Sequence, residues 1–237
     1  MFCDRSYHHS PEMNDVLNGF QSAPKRCGMT VASPRGSPKP YRMKARYPHV
    51  MAVDLAGTVT YLKDHAVEHG FHVHDERHFV ETYTLRQAWE VDVHPAEACE
   101  GPLDLHVAID LDPRVVLDLE DALADTTDIP EDPTGKFIVP FMFNWSLPPL
   151  GARPDLIVLA TELAAKGGAD LPIEVSAVDT YGALSDGEEH QLSLVAKVEI
   201  SLIDLMYRQD TLCEVLDRVH DVSMYLVEES RSWEVQE

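Results

Sequence analysis

The stretch LPIEVSAVDTYGALSDGEEHQLSLVAKVEISLIDL, Leu171 to Leu205, decides the fold of this chain because it has the pattern of one long β-hairpin. Apolar and polar residues alternate along both arms, as they do in strands that bury one face. Asp186-Gly187 lies between the arms and suits a two-residue turn with positive φ. A turn at this place predicts three opposed pairs on the buried face: Ile173 with Ile200, Val175 with Val198, and Ala177 with Ala196.

Two further segments have the pattern of strands. Trp89 to Val93 and Leu103 to Val107 are predicted to form a second hairpin, whose register also places Arg86 against Asp110. Lys136 to Leu147 places four aromatic residues on one face, while Pro140 predicts an edge position or a bulge because proline cannot donate a ladder hydrogen bond. The pairs predicted for the second hairpin are Trp89 with Val107, Val91 with Leu105, and Val93 with Leu103.

Four segments have apolar residues spaced three or four positions apart, which predicts helices. They are Met51–Ala66, Val115–Ala124, Asp155–Lys166 and a last helix that opens at Thr211. Gly70 is expected to end the first. Thr211 and Glu214 have the spacing of a capping box. Residues 156–160 are apolar on all sides, which predicts buried first turns in the third helix.

The order of these elements predicts an α+β fold. We expect an antiparallel sheet of about five strands, made of two long hairpins and the aromatic-rich strand, with helices packed on one face. This domain should span residues 47–237. Residues 1–46 are basic, rich in Pro, Ser and Gly, and without apolar periodicity, so we predict a disordered tail. The tail is either a dispensable leader or a basic arm that binds the acidic body or a polyanion.

The charge of the chain limits its partners. The net charge is −22, but residues 47–237 hold 11 basic and 38 acidic residues, a net charge of −27. Such a body repels nucleic acid and anionic membranes, so neither is an expected partner. The stripe of apolar residues along the last helix, Leu212 to Leu226, is compatible with a homodimer formed through this helix. We therefore expect self-association or a protein partner.

The cysteines indicate a reducing compartment. Cys3, Cys27, Cys99 and Cys213 are scattered and form no C-x-x-C, so a disulfide framework is not expected. Cys99 lies in an acidic loop, which predicts a raised thiol pKa and an unreactive side chain. No apolar run approaches 18 residues and the first residues lack the apolar core of a signal peptide. These features predict a soluble, cytoplasmic protein.

Histidines are concentrated between residues 64 and 81, DHAVEHGFHVHDERHFVE. Five of the twelve histidines fall within fourteen positions: His65, His69, His72, His74 and His78. The stretch has three interpretations. It binds a divalent metal, or it responds to pH because clustered histidines gain charge together near pH 6, or its histidines are ordinary surface and core residues.

The first spacing in this stretch resembles the inverted zinc-peptidase family. His65-Ala-Val-Glu68-His69 has the form H-x-x-E-H, in which two histidines one helical turn apart bind zinc and the glutamate acts as a base. The family also needs an acidic third ligand downstream, for which the sequence offers Glu81, Glu90 and Glu120 without distinguishing them. The resemblance covers fewer than ten residues, and no family is assigned from it.

A second spacing resembles the metallo-β-lactamase pattern H-x-H-x-D-H. His72 and His74, if extended, share one strand face with His78, and such an H-x-H arrangement also binds divalent metals. The full pattern requires Asp at position 76 and His at position 77, where this chain has Glu76 and Arg77. The candidate ligands carried forward are therefore His65, His69, His72 and His74.

Two functions from different classes follow from these observations. The first, which the periodicity favours, is a non-catalytic binding or protein-interaction module. The alternative is a small divalent-metal-dependent hydrolase, in which zinc or another divalent ion is held by the histidine cluster and Glu68 is the catalytic base. The sequence contains no G-x-S-x-G, Walker loop or G-x-G-x-x-G, so it lacks the usual signals of common hydrolases and nucleotide-binding enzymes. These motifs therefore do not decide whether the protein is an enzyme.

Overall fold

The computed structural model describes residues 53–124, 129–181, 188–208 and 210–233. They form a six-stranded antiparallel sheet in the order β1-β2-β3-β4-β6-β5. The strands are β1 Phe71–Val80, β2 Gln87–Pro95, β3 Asp104–Leu111, β4 Ile138–Ser146, β5 Ile173–Tyr181 and β6 Glu188–Ser201. The helices are α1 Leu55–Glu68, α2 Pro113–Ala124, α3 Leu156–Gly167, α4 Leu202–Tyr207 and α5 Asp210–Trp233.

The predicted α+β class with an antiparallel sheet is confirmed. The sheet has one strand more than the five expected, because the histidine-rich segment forms β1 and pairs with β2. The end of the stretch Leu171 to Leu205 also differs from the predicted strand, because α4 begins at Leu202. Ser201 caps this helix by accepting a hydrogen bond from Ile203 N at 3.3 Å. The predicted tail, residues 1–46, lies outside the described residues.

The core lies on the face of the sheet that α1 and α5 cover. Buried and more exposed residues alternate strictly along β2 and β3, as expected for strands with one face in the core. The aromatic face of β4 is buried as predicted, and Leu62 of α1 and Leu216 of α5 pack over it. The buried residues of this face include Phe137, Val139, Phe141, Phe143, Trp145 and Leu147.

Both hairpins form, but both predicted registers are wrong. In the β5–β6 hairpin Ile173 lies opposite Ala196 and Val175 opposite Leu194, a shift of four residues from the prediction. The predicted turn at Asp186-Gly187 lies outside the described residues. In β2–β3 the pairs are Trp89 with Ile109, Val91 with Val107, and Val93 with Leu105, a shift of two residues. Both shifts are even, so the same residues face the core.

The position of Pro140 also differs from the prediction. β4 is a central strand, between β3 and β6, rather than an edge strand. Pro140 lies opposite Glu199 of β6, whereas the residues of β4 that pair with β3 begin at Phe141. The sheet is therefore locally two-stranded at Pro140, so a residue without an N–H is tolerated there.

The helix boundaries follow local signals in most cases. Asp54 caps α1 and Asp155 caps α3, each by accepting hydrogen bonds from backbone N–H groups of the first turn. Gly70, with φ of +88°, ends the α1 segment as predicted. The predicted capping box is wrong, since α5 begins at Asp210 and Thr211 is inside its first turn. Among the helices that the structure describes, none is both long enough and apolar enough to cross a membrane.

The first turns of α3 are not buried as predicted. Ile157 is 79% exposed and Val158 is 52% exposed, while Leu159 and Leu163 are buried. The helix packs through only one side, against β5 and α5. An apolar sequence on all sides of a short helix thus does not require burial on all sides when only one side has neighbours.

Candidate metal centre

The five clustered histidines are divided between two faces of the sheet. His65 and His69 belong to the end of α1, on the core side. A β-bulge between Val73 and Asp75 inserts His74 as an extra residue in β1, so the residues after it change face. His78 consequently stacks on the buried Trp89, with ring centroids 4.0 Å apart. The prediction that His78 shares a face with His72 and His74 is therefore wrong.

His65 and His69 form an inner group with α5. His65 Nε2 is 2.8 Å from Cys213 Sγ, and His69 Nδ1 is 2.7 Å from Asp217 Oδ1. One ligand atom from each of His65, His69 and Cys213 lies within 4.8 Å of the others. Glu68 points outward and is 75% exposed, with Oε2 at 3.3 Å from His65 Nδ1. That contact is not hydrogen-bonded, since His65 Nδ1 is buried without such a partner among the described residues.

The inner group has a structural explanation that needs no metal. Each histidine has a side-chain contact that joins α1 to α5, and His65 stacks on Tyr61 within its own helix. Burial lowers the pKa of His65 below its ordinary value of 6.5, and the neighbouring His69 lowers it further. A histidine that is buried between two helices is expected to be neutral. Burial and these contacts therefore account for His65 without a metal.

The three acidic residues considered as third ligands are all engaged elsewhere. Glu81 accepts a hydrogen bond from Thr84 Oγ1 in the β1–β2 turn, Glu90 pairs with Arg77, and Glu120 accepts from the backbone of Val53. None of them belongs to the inner group. Among the described residues, the sulfur of Cys213 is instead the third group near the two histidines. Cys213 is disulfide-bonded, so it has no thiolate to offer a metal, and the expectation of reduced cysteines is wrong for this residue.

A second, outer group lies where β1 begins and β2 ends. One ligand atom from each of His72, His74 and Cys99 lies within 4.8 Å of the others. His74 Nε2 is 3.2 Å from Cys99 Sγ, and the rings of His72 and His74 are 6.4 Å apart. His72 and His74 are exposed and Cys99 is partly exposed. The outer group is therefore open to ions in solution.

Backbone features of both strands position the outer group. His72 lies opposite His94 in the β1–β2 ladder, and the bulge presents His74 next to it. A 3-10 turn, Ala96–Ala98, follows β2 and brings Cys99 back toward β1. Ala96 N donates to Gly70 O at 2.8 Å, which ties this turn to the residue that precedes β1. The three side chains thus converge through a ladder, a bulge and a turn, not through local spacing alone.

The chemistry of the outer group suits a transition metal. Burial lowers the pKa of His74, and the neighbouring His94 and His72 lower it further, which favours the neutral imidazole that a metal requires. Two imidazoles and a thiolate are typical ligands of zinc. In a tetrahedral zinc site such ligand atoms lie about 3.3–3.6 Å apart, as follows from the usual bond lengths. The ligand atoms of the outer group lie within 4.8 Å of one another, so they must move closer together to reach that geometry.

The sequence alone gave His72 and His74 as candidate ligands but did not give Cys99. It predicted an unreactive cysteine in an acidic loop, whereas the sulfur contacts an imidazole. Cys99 is 25 residues from His74 in the chain, so no local motif contains both. Only a prediction of β1 as a strand, with the correct register against β2, would have placed them together.

Comparison with known proteins adds no further information, because no protein-family model, curated protein or solved structure matches this chain. The geometry of the described residues is therefore the basis of the functional proposals that follow.

Proposed function

We propose that this protein is a non-catalytic metal-binding module in which His72, His74 and Cys99 hold a zinc-class divalent ion. The observation that carries the proposal is the convergence of two imidazoles and one sulfur within 4.8 Å at the outer corner of β1 and β2. This donor set prefers borderline and soft ions such as zinc over magnesium or calcium.

The outer group supports this proposal better than the inner one. The inner histidines lie between α1 and α5, where burial and helix contacts already account for them. The outer histidines are both exposed, so packing in the core does not account for them. Exposed imidazoles gathered around a thiol are better explained by a ligand than by folding.

Zinc titration of the purified protein after chelation tests the proposal, with native mass spectrometry and calorimetry as readouts. We expect one zinc per chain, and at least tenfold weaker binding in His74→Ala and in Cys99→Ser. His78→Ala is the matched control, because His78 belongs to the same strand but stacks on Trp89. A protein that binds no zinc, or a Cys99→Ser variant with unchanged affinity, would contradict the proposal.

The hydrolase alternative remains a separate proposal, based on His65, His69 and the exposed carboxylate of Glu68. The same titration separates the two. If the metal is held by the inner group, His65→Ala/His69→Ala loses it while Cys99→Ser keeps it. Only that result would justify a substrate screen with Glu68→Gln as the inactive control.

Self-association, which the sequence predicts, is a second candidate function, favoured by the position of β1 at the edge of the sheet that the described residues form. Phe79 and Val80 at the end of β1 are about half exposed, and Tyr83 in the following turn is 97% exposed. Apolar side chains beside an edge strand favour pairing with a second copy of the chain. Sedimentation velocity of the wild type and of Phe79→Ser/Tyr83→Ser tests this, and a wild-type monomer at all concentrations would refute it.

A further inference from the structure

His94 lies beside the outer group although it is not one of its three members. It occupies β2 directly opposite His72. Its ring centroid is 4.4 Å from that of His74. The His94 side chain is only 17% exposed, whereas His72 and His74 are exposed.

The two ring nitrogens of His94 are in different environments. Nε2 is 2.8 Å from Asp104 Oδ1, and because a carboxylate only accepts hydrogen bonds, Nε2 carries the proton. Nδ1 of the neutral ring then has a lone pair. That nitrogen is buried, and it has no hydrogen-bond partner among the described residues. A buried acceptor without a donor calls for an explanation.

This arrangement is the one that metal-binding histidines show. Such histidines donate the hydrogen of the nitrogen that does not bind metal to a carboxylate, which fixes the tautomer and the ring orientation. Asp104 on β3 has this position relative to His94. A cation bound at Nδ1 would provide the buried nitrogen with the partner that the protein does not.

We propose that His94 is the fourth ligand of the outer site and that Asp104 is its positioning residue, an inference that rests on the proposed function. The site then has three imidazoles and one thiolate around a zinc-class ion. His72 and His74 rotate toward His94, whose ring Asp104 holds in place. Four protein ligands leave no open position for water, so the site is closed and suits structural or regulatory binding rather than hydrolysis.

Cobalt substitution and zinc affinity test this inference on the full chain. Co²⁺ gives visible absorption bands whose intensity and position report coordination number and ligand type. We expect His94→Phe to change this spectrum and to weaken zinc binding at least tenfold. Asp104→Asn should weaken binding by about 10–100-fold, the usual effect of losing a carboxylate that orients a ligand. His106→Phe is the control, because His106 on β3 pairs with Asp92 instead, at 2.6 Å.

The outcomes distinguish this inference from the proposed function. If the wild type binds zinc through Cys99 but His94→Phe and Asp104→Asn keep both the wild-type affinity and the wild-type cobalt spectrum, His94 is not a ligand and the three-ligand site stands. If the wild type binds neither ion, the proposed function fails and this inference fails with it. Asp104 is 61% exposed, so we expect the Asp104→Asn variant to fold normally. This variant therefore still tests the inference if His94→Phe unfolds.

Discussion

At the scale of single residues, one buried hydrogen bond joins the central strand to the last helix. Trp145 Nε1 donates to Ser223 Oγ at 2.9 Å, and both side chains are fully buried. Ser223→Ala leaves the indole N–H without an acceptor, so we expect the free energy of unfolding to fall by about 1–3 kcal/mol. Urea unfolding measures this. Ser232→Ala, at an exposed position of the same helix, should change it by less than about 0.5 kcal/mol, and an equal loss in both variants would contradict the explanation.

The lowered pKa of His65 predicts a pH-dependent stability. The folded state favours the neutral imidazole, because burial and the neighbouring His69 oppose its charge more strongly than Glu68 and Asp217 support it. Unfolding therefore takes up a proton below pH 6.5, the ordinary value. The contribution of His65 is complete above that pH and is lost as the pH falls through it toward the lower pKa of the folded state.

We expect His65→Gln to reduce this pH dependence when the free energy of unfolding is measured by urea at several values above and below pH 6.5. Glutamine has no charge to gain in this range, so its contribution stays constant. His78→Gln is the control, because His78 is exposed on the neighbouring strand. A pH profile of His65→Gln that is parallel to the wild type would show that other groups cause the dependence.

At the scale of elements, α3 shows that position in the structure decides what an apolar side chain contributes. Leu163 is fully buried, whereas Ile157 is 79% exposed. We expect Leu163→Ala to lower the free energy of unfolding by about 2–5 kcal/mol. Ile157→Ala should change it by less than about 0.5 kcal/mol. Guanidinium unfolding of both variants measures the difference, and comparable losses would mean that the first turn of α3 is buried after all.

The register of the β5–β6 hairpin can be tested by cross-linking on its solvent face. Ser176 lies directly opposite Ser193, while the register predicted from the sequence would place Ser176 opposite Lys197. Oxidised Ser176→Cys/Ser193→Cys should form the cross-strand disulfide. Ser176→Cys/Lys197→Cys should not, since four residues along a strand span about 13 Å, beyond the reach of a disulfide. Peptide mass mapping identifies the bond, and the reverse result would support the register predicted from the sequence.

At the scale of the whole molecule, the acidic charge should make stability depend on salt. A net charge of −27 over residues 47–237 repels itself in the folded state. Raising the salt from about 0.01 M to about 0.15 M shortens the screening length from about 30 Å to about 8 Å. We expect the melting temperature to rise by about 2–4 °C, the equivalent of about 1 kcal/mol for this chain length. An uncharged osmolyte at equal osmolality is the control, and a fall with salt would mean that ion pairs outweigh the repulsion.

The faces of the elements could be predicted from the sequence, but the neighbours across the sheet could not. Period-two alternation identifies Val91 and Val175 as core-facing residues whatever their partners are. A shift of two or four residues keeps the same face buried, so the alternation does not distinguish these registers. The correct register depends on contacts between segments, such as the pairing of β3 and β6 with β4, which the alternation does not encode.

For the candidate site too, some features could be predicted from the sequence and others could not. The sequence by itself determined that the chain is an acidic α+β protein and that its histidines are clustered, because composition and periodicity are local properties. Only the tertiary structure decided that His78 turns away from His72 and that Cys99 and His94 join the outer corner. A bulge, a ladder register and a turn bring these side chains together, and each depends on contacts between segments that the sequence holds apart.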